Sequence, residues 1–291
     1  MDRLNLNKYD IKSFHNPLLL KGINKALARI IKAVNEREKI VLYGSSDVDG
    51  IISTSILLLI LKYLNADVEY YIPDKTSSRQ FNTEFIESHV KYLGAKVIVT
   101  LGCGIDSSEE IFLCRNLGID LIISDYRKSD ILPTETMIIN PNQKDCDYPF
   151  KNLCAAGISF KIAQAIAGYY HISCVTKYLD LVAIGIVSSG AVISGENKIM
   201  VDLGIEALSK SNNYGLNAIK MKLNIDKVDV GTLKVFSDVF MPKLNVLGRM
   251  DDAKIVVELL TTLDKERAER ISKYLINKSK ENNKKIIVFE Y

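Results

Sequence analysis

The sequence predicts an α/β protein built on a parallel sheet, followed by a helical extension. Short apolar runs recur at 40–43, 67–72, 96–101 and 120–124, and helix-favouring stretches separate them. Each run ends in Gly, Pro or a polar residue, as buried strands end at a sheet's carboxyl edge. Alternation at this spacing winds into a sheet covered on both faces, whose ligands sit at the carboxyl ends of the strands.

Taken in order, residues 1–38 form a helical lead-in and residues 39–210 the α/β domain. Its first strand, Ile40-Val41-Leu42-Tyr43, breaks at Gly44-Ser45-Ser46, and after Asp47-Val48-Asp49-Gly50 an apolar helix runs through Tyr63. The second strand, 67–72, is closed by Pro73. A helix over 82–93 leads to the strand at 96–101, which ends at Gly102-Cys103-Gly104. A helix over 107–117 then precedes the strand at 120–124, which runs into Asp125-Tyr126-Arg127. Beyond Asn140-Pro141-Asn142 only helices are expected: 153–170, 175–187, 198–209 and 214–223, one beginning near 252, and a long one from 265 to about 284. Residues 211–291 are read as a helical extension or connector.

Composition narrows the function. Hydrophobic residues at 47% and charged residues at 25% are globular averages, which excludes a disordered or fibrous chain. Lys+Arg 38 against Asp+Glu 35 leaves +3, so nucleic-acid binding would need a local patch and not bulk charge. Five Cys without C-x-x-C indicate neither a disulfide framework nor a zinc knuckle. The polar start carries no leader, and the most apolar run, 56–61, is far below the ~20 residues of a membrane helix. The expectation is a cytoplasmic protein in a reducing compartment, with no membrane partner. Lys278, Lys280, Lys284 and Lys285 read most simply as a solvated helix face, with a nucleic-acid arm as the alternative.

Chemistry is expected where three strand ends turn polar together: Ser45–Gly50, Gly102–Gly104 and Asp125–Arg127. Residues i and i+2 of an extended turn point the same way, so Asp47 and Asp49 can face one cleft, where a hard divalent ion would relieve their repulsion. The plainer assignment has Asp49 capping the following helix and Asp47 facing water. Gly102-Cys103-Gly104 can form an anion nest. Cys103 has no His or Lys neighbour that would make it a nucleophile, and the other cysteines read as packing residues. Tyr148 and Phe150 suit either base stacking or, more commonly, a core plug.

Set in order, these segments resemble the DHH phosphoesterases, most closely the RecJ-like single-strand-specific exonucleases. The resemblance is carried by Val41–Ser55, Tyr70–Asp74, Thr100–Ile105, Ile139–Gln143, Tyr148–Leu153, Asp180–Gly185, Ser194–Asn197 and Leu244–Ala253, and covers roughly 39–285. It implies a DHH-type parallel-sheet domain and a centre for two Mn2+ or Mg2+ ions, held by acidic and His residues of four motifs. Against that pattern Asp47, Asp49 and Asp125 remain, while Ser45, Gly102 and Ser189 stand where carboxylates belong. Tyr126 and Arg127 replace the two name-giving histidines, and His15, His89 and His171 lie elsewhere. The turn after Pro73 also departs, with Ser78-Arg79-Gln80-Phe81-Asn82 replacing the family's E-G-Y-G-L-N.

Two-metal chemistry needs enough anionic or imidazole ligands to neutralise four positive charges. Arg127 beside a divalent ion would be repelled by roughly 8 kcal/mol, twice the unit-pair value of about 4 kcal/mol at 4 Å and an effective dielectric near 20. Beside carboxylates it is attracted, so Arg127 is expected to fork onto Asp47 and Asp49 and tie the old site shut. The metal set Asp47, Asp49 and Asp125 is then vestigial or weak, no catalytic residue is assigned, and no cofactor is expected. Binding single-stranded nucleic acid or a DNA replication or repair protein is the leading reading. An inactivated RecJ-like component of the eukaryotic replicative helicase is the family's precedent for it. The resemblance also matches Lys243, Asn245, Gly248 and Arg249 to the segment that holds the DNA backbone, although a glycine turn with Arg249 paired to Asp251 or Asp252 accounts for them equally well. The alternatives are a slow Mn2+- or Mg2+-dependent exonuclease or phosphodiesterase, and a structural subunit of a full-length RecJ-like paralogue. The family's second domain, with its G-G-H segment, has no counterpart in a sequence without Gly-Gly, so half of the substrate clamp is expected to be missing.

Overall fold

A computed structural model describes residues 14–73, 81–129, 136–241 and 252–288. Five parallel strands form its sheet: β1 (Ile40–Gly44), β2 (Val68–Tyr71), β3 (Val97–Leu101), β4 (Asp120–Ser124) and β5 (Met137–Ile139), in the order β2-β1-β3-β4-β5. Register is direct, with Ile40 opposite both Val68 and Val97, and Val97 opposite Asp120. β1 and β3 are buried along their whole length, which is why they read as unbroken apolar runs. Their side chains still alternate: Ile40 and Leu42 enter one core, Val41 and Tyr43 the other.

The smaller core lies under α3 (Thr83–Phe85), a π-helical turn at Ile86–Val90, α4 (Lys91–Leu93) and α5 (Ser108–Asn116). Its centre is aromatic, with Tyr43 stacked on Tyr71 at 5.4 Å and edge-on to Phe85 at 4.9 Å. The larger core is covered by α1 (Ile23–Glu36), α2 (Val48–Tyr63) and α6 (Ala155–Tyr169). α2 is apolar on every side because it packs on the sheet, on α6 and α7 (Leu179–Ser189), and on α11 (Asp252–Thr261). α8 (Gly195–Ser209), α9 (Tyr214–Lys222), α10 (Val230–Phe240) and α12 (Lys265–Val288) complete the helical layer, and the large core runs unbroken from Leu20 to Ile276.

The predicted α/β class is what the structure shows. Three elements differ from expectation. β5, only three residues long, and α10 were not foreseen, and the helix expected over 175–187 divides into a 3-10 turn at Val175–Tyr178 and α7. Among the described residues no helix is long and apolar enough to cross a membrane.

The strand order reverses direction at β1 and β3, and the crevice at such a switch point is where open α/β sheets hold ligands. All three polar strand ends emerge there from adjacent strands. Ser45 N–H donates to Leu101 O, Gly102 N–H to Ser124 O and Asp125 N–H to Ile139 O, so the ladder continues into the loops that carry them.

Candidate functional site

Asp47 is the N-cap of α2. Its backbone is extended, and its Oδ1 accepts from Gly50 N–H at 2.8 Å and Ser45 Oγ at 3.0 Å. Asp49, in the first turn of the helix, points into the protein and is 4% exposed. Its Oδ2 accepts from Ala155 N–H and its Oδ1 from Ala156 N–H, both at 2.8 Å. Asp49 thus caps α6, a helix 106 residues away in sequence, at the end where unpaired amides and the helix dipole favour an anion. Burial, and then Asp47, push its carboxyl up to about 7, while the two amides pull it back. The plainer sequence assignment is therefore inverted: Asp47 is the local cap and Asp49 the buried group.

Asp125 ends β4 fully buried. Oδ1 accepts from the N–H groups of Tyr126 and Arg127, at 2.8 and 3.0 Å, and Oδ2 from Ile105 N–H at 3.3 Å. Arg127 adds Nε at 3.2 and 3.1 Å to the two oxygens and a second guanidinium nitrogen at 2.7 Å to Oδ2. Its remaining edge reaches Asp106 at 3.4 Å. The expected fork of Arg127 onto Asp47 and Asp49 is corrected. The guanidinium folds back two residues onto its own strand end, where a carboxylate already oriented by three amides receives it, and Asp49 has turned inward to α6.

Tyr126 is half-buried among the three aspartates. Desolvation first, then Asp49, Asp47 and Asp125, hold its phenol up at about 12, so it stays neutral. The Asn140-Pro141-Asn142 loop secures this turn, since Asn140 Nδ2 donates to Arg127 O and Asn142 Nδ2 to Tyr126 O, both at 2.8 Å.

Ser45 and Gly102 lie side by side. Gly102 has φ +77, and a Cβ there would lie 2.9 Å from Ser45 Oγ and 3.1 Å from Ala155 Cβ. A side chain at 102 would therefore crowd Ser45 and Ala155. Ser189 closes α7, its hydroxyl donating to Ile186 O at 2.9 Å, and it borders the Cys154 thiol that lies against Asp49. Burial raises the thiols of Cys103, to about 12, and of Cys154, so neither is a nucleophile.

Sequence reasoning missed a second cluster. Lys161 and Glu196 form an ion pair at 2.6 Å with side chains 0% and 1% exposed. Tyr148 donates to Glu196 at 2.5 Å, which settles Tyr148 as a core plug. His15 N–H donates to Glu196 at 3.0 Å, and Lys161 Nζ donates to His15 O at 3.1 Å. The signal lay in the Tyr148-Pro149-Phe150 and Ser194-Gly195-Glu196-Asn197 segments, two pieces of one buried knot. Lys243, Asn245, Gly248 and Arg249 lie outside the described residues, as does the 78–80 part of the departing turn.

The retained carboxylates do not fit a two-metal centre. Asp49 and Asp125 have both oxygens on protein donors, Asp47 has one so engaged, and a guanidinium stands at Asp125. Among the described residues no group of three or more His, Cys, Asp or Glu is placed to hold a metal ion.

A five-stranded parallel sheet with this strand-end crevice and helical layer is the architecture of the DHH family. Its N-terminal domain model matches residues 39–186, and the chain belongs to that family, in its RecJ-like branch. It is 33% identical over 274 residues to the single-stranded-DNA-specific exonuclease RecJ of Bacillus subtilis, covering 94% of this chain and 34% of that protein. For the Escherichia coli RecJ the identity is 28% over 83% of this chain and 44% of the relative. The chain thus spans a third to under a half of the length of these two relatives. RecJ of Thermus thermophilus in complex with Mn2+ superposes with a TM-score of 0.78 at 23% identity, over 91% of this chain and 38% of that one. An exonuclease RecJ bound to manganese gives 0.81 at 22%, over 91% of this chain and 67% of that one. At these identities the structural likeness speaks for the fold.

Proposed function

We propose that this chain is a RecJ-like DHH protein without hydrolytic activity of its own, acting by binding single-stranded nucleic acid or a DNA replication or repair protein. One observation carries the reading: of the buried carboxylates at the crevice, Asp49 has turned to the amides of α6, and Asp125 is already paired with the Arg127 guanidinium, whose charge opposes a divalent ion. The relatives are named as exonucleases, and the ligands that the family resemblance implies are replaced here by Ser45, Gly102, Tyr126, Arg127 and Ser189, which supports the reading.

Nucleic-acid contact is assigned to Lys243, Asn245, Gly248 and Arg249. Arg127 at the crevice is already held by Asp125 and Asp106, which leaves it little attraction for phosphate. The test is degradation of a 5′-labelled single strand by purified protein in Mn2+, against EDTA and against Asp47→Ala. No turnover is expected in any arm. Binding to the same strand should weaken steeply with salt, and Arg249→Ala should flatten that dependence by about one charge. Turnover that disappears in both EDTA and Asp47→Ala overturns the reading in favour of a slow metal-dependent exonuclease.

A further inference from the structure

We infer that Arg127 is a built-in substitute for a metal ion, so that removing it turns a metal-indifferent fold into one stabilised by divalent cations. The argument starts at Asp125, whose carboxylate has no exposure to water. A buried charge needs a compensating one, and stripping it of its partner is strongly destabilising. Arg127 supplies three of the six donor contacts on that carboxylate through its side chain and is its cationic partner among the described residues.

Its placement is also that of a bridging ion. One edge of the guanidinium holds Asp125 at the end of β4, and the other reaches Asp106, 3.4 Å away in the loop after β3. Ser129, beyond the β4 turn, lies 3.5 Å from the second oxygen of Asp106. Two strand-end loops are therefore joined across the crevice through one covalently attached cation. Unlike a bound ion, that cation has no concentration dependence, and no pH at which the fold survives discharges it.

Without Arg127, Asp106 and Asp125 face the same vacated space. Hard divalent ions take such oxygen ligands and complete their shells with water. The inference rests on the metal-free reading of the site, yet the two can fail separately. EDTA-sensitive turnover by the unmodified chain defeats that reading whatever the melts show, whereas the melts below decide this one.

Thermal unfolding is followed in EDTA and in millimolar MnCl2 or MgCl2. The unmodified chain is expected to melt at the same temperature in all three. Arg127→Ala should lose roughly 5 °C or more in EDTA and regain at least half of the loss in Mn2+. Arg127→Gln, which keeps the stem and some donors, should behave likewise and serves if the alanine variant does not fold. Asp125→Asn combined with Arg127→Ala removes the orphaned charge and should show no metal response. Arg127 variants melting like the parent in EDTA overturn the inference, as does a Mn2+ shift equal in parent and variant.

Discussion

Asp47 and Asp49 are two residues apart and do unrelated work, because one faces its own helix and the other a helix far along the chain. The consequence for Asp49 is a pH signature. Its carboxyl is raised from an ordinary value near 3.8 to about 7, so the folded state holds a proton that the unfolded chain has released. Its stabilising contribution is complete below about pH 4 and disappears as pH climbs through about 7, a change of ~4 kcal/mol at most. Denaturant midpoints measured from pH 4 to pH 8 should fall over that window in the parent, and Asp49→Asn should lack that component of the slope. Local pattern made a helix cap at this turn legible. It could not show which aspartate supplies the cap, because the donors that claim Asp49 are more than a hundred residues away. The same limit applied to Arg127, whose attraction to a carboxylate was readable while the choice among three carboxylates depended on how each was already hydrogen-bonded.

Among the elements, β1, β3 and β4 were legible because buried parallel strands are apolar on both faces and stop at polar turns, and the partly exposed edge strand β2 by its Val and Tyr residues before Pro73. β5 was not, since three residues give no periodicity. α10 was hidden by its composition: Val and Phe are its commonest residues, and its capping box pairs Asp229 with Thr232 where Glu or Gln is usual. The loop after β3 carries a further prediction. Gly102→Asp puts a carboxylate back in sequence, but at a left-handed backbone position with its Cβ against Ser45 and Ala155. Restoration should cost about 1–2 kcal/mol of stability and yield no Mn2+-dependent shift, as read by chemical denaturation with and without the ion. A Gly102→Asp chain that gained stability in Mn2+ would show that this loop can still relax around a metal.

Across the molecule as a whole, a buried ion pair accompanies the apolar core. Lys161 on α6 and Glu196 on α8 lock two helices and the segment before α1 into one knot, and burial pushes the Lys161 ammonium toward its neutral form while Glu196 opposes this. Lys161→Met strands the Glu196 charge and the His15 carbonyl and should cost ~3–5 kcal/mol. Lys161→Met with Glu196→Gln should recover part of that loss, a comparison that calorimetry can make directly. Such a large effect at a pair that bonds none of the crevice carboxylates would separate what keeps this fold from what its relatives use it for.

The knot also reads position 15 in an unusual way. Glu196 takes the N–H and Lys161 the carbonyl, so the lock recognises a peptide unit and is blind to the imidazole beyond the ring's edge-on contact with Tyr148 at 5.8 Å. Most residues can therefore pass through position 15 at little cost, but proline cannot, because it has no hydrogen to give. An insertion or deletion between residue 15 and α1 would be felt far more than a substitution: what this end of the chain must preserve is spacing, not spelling.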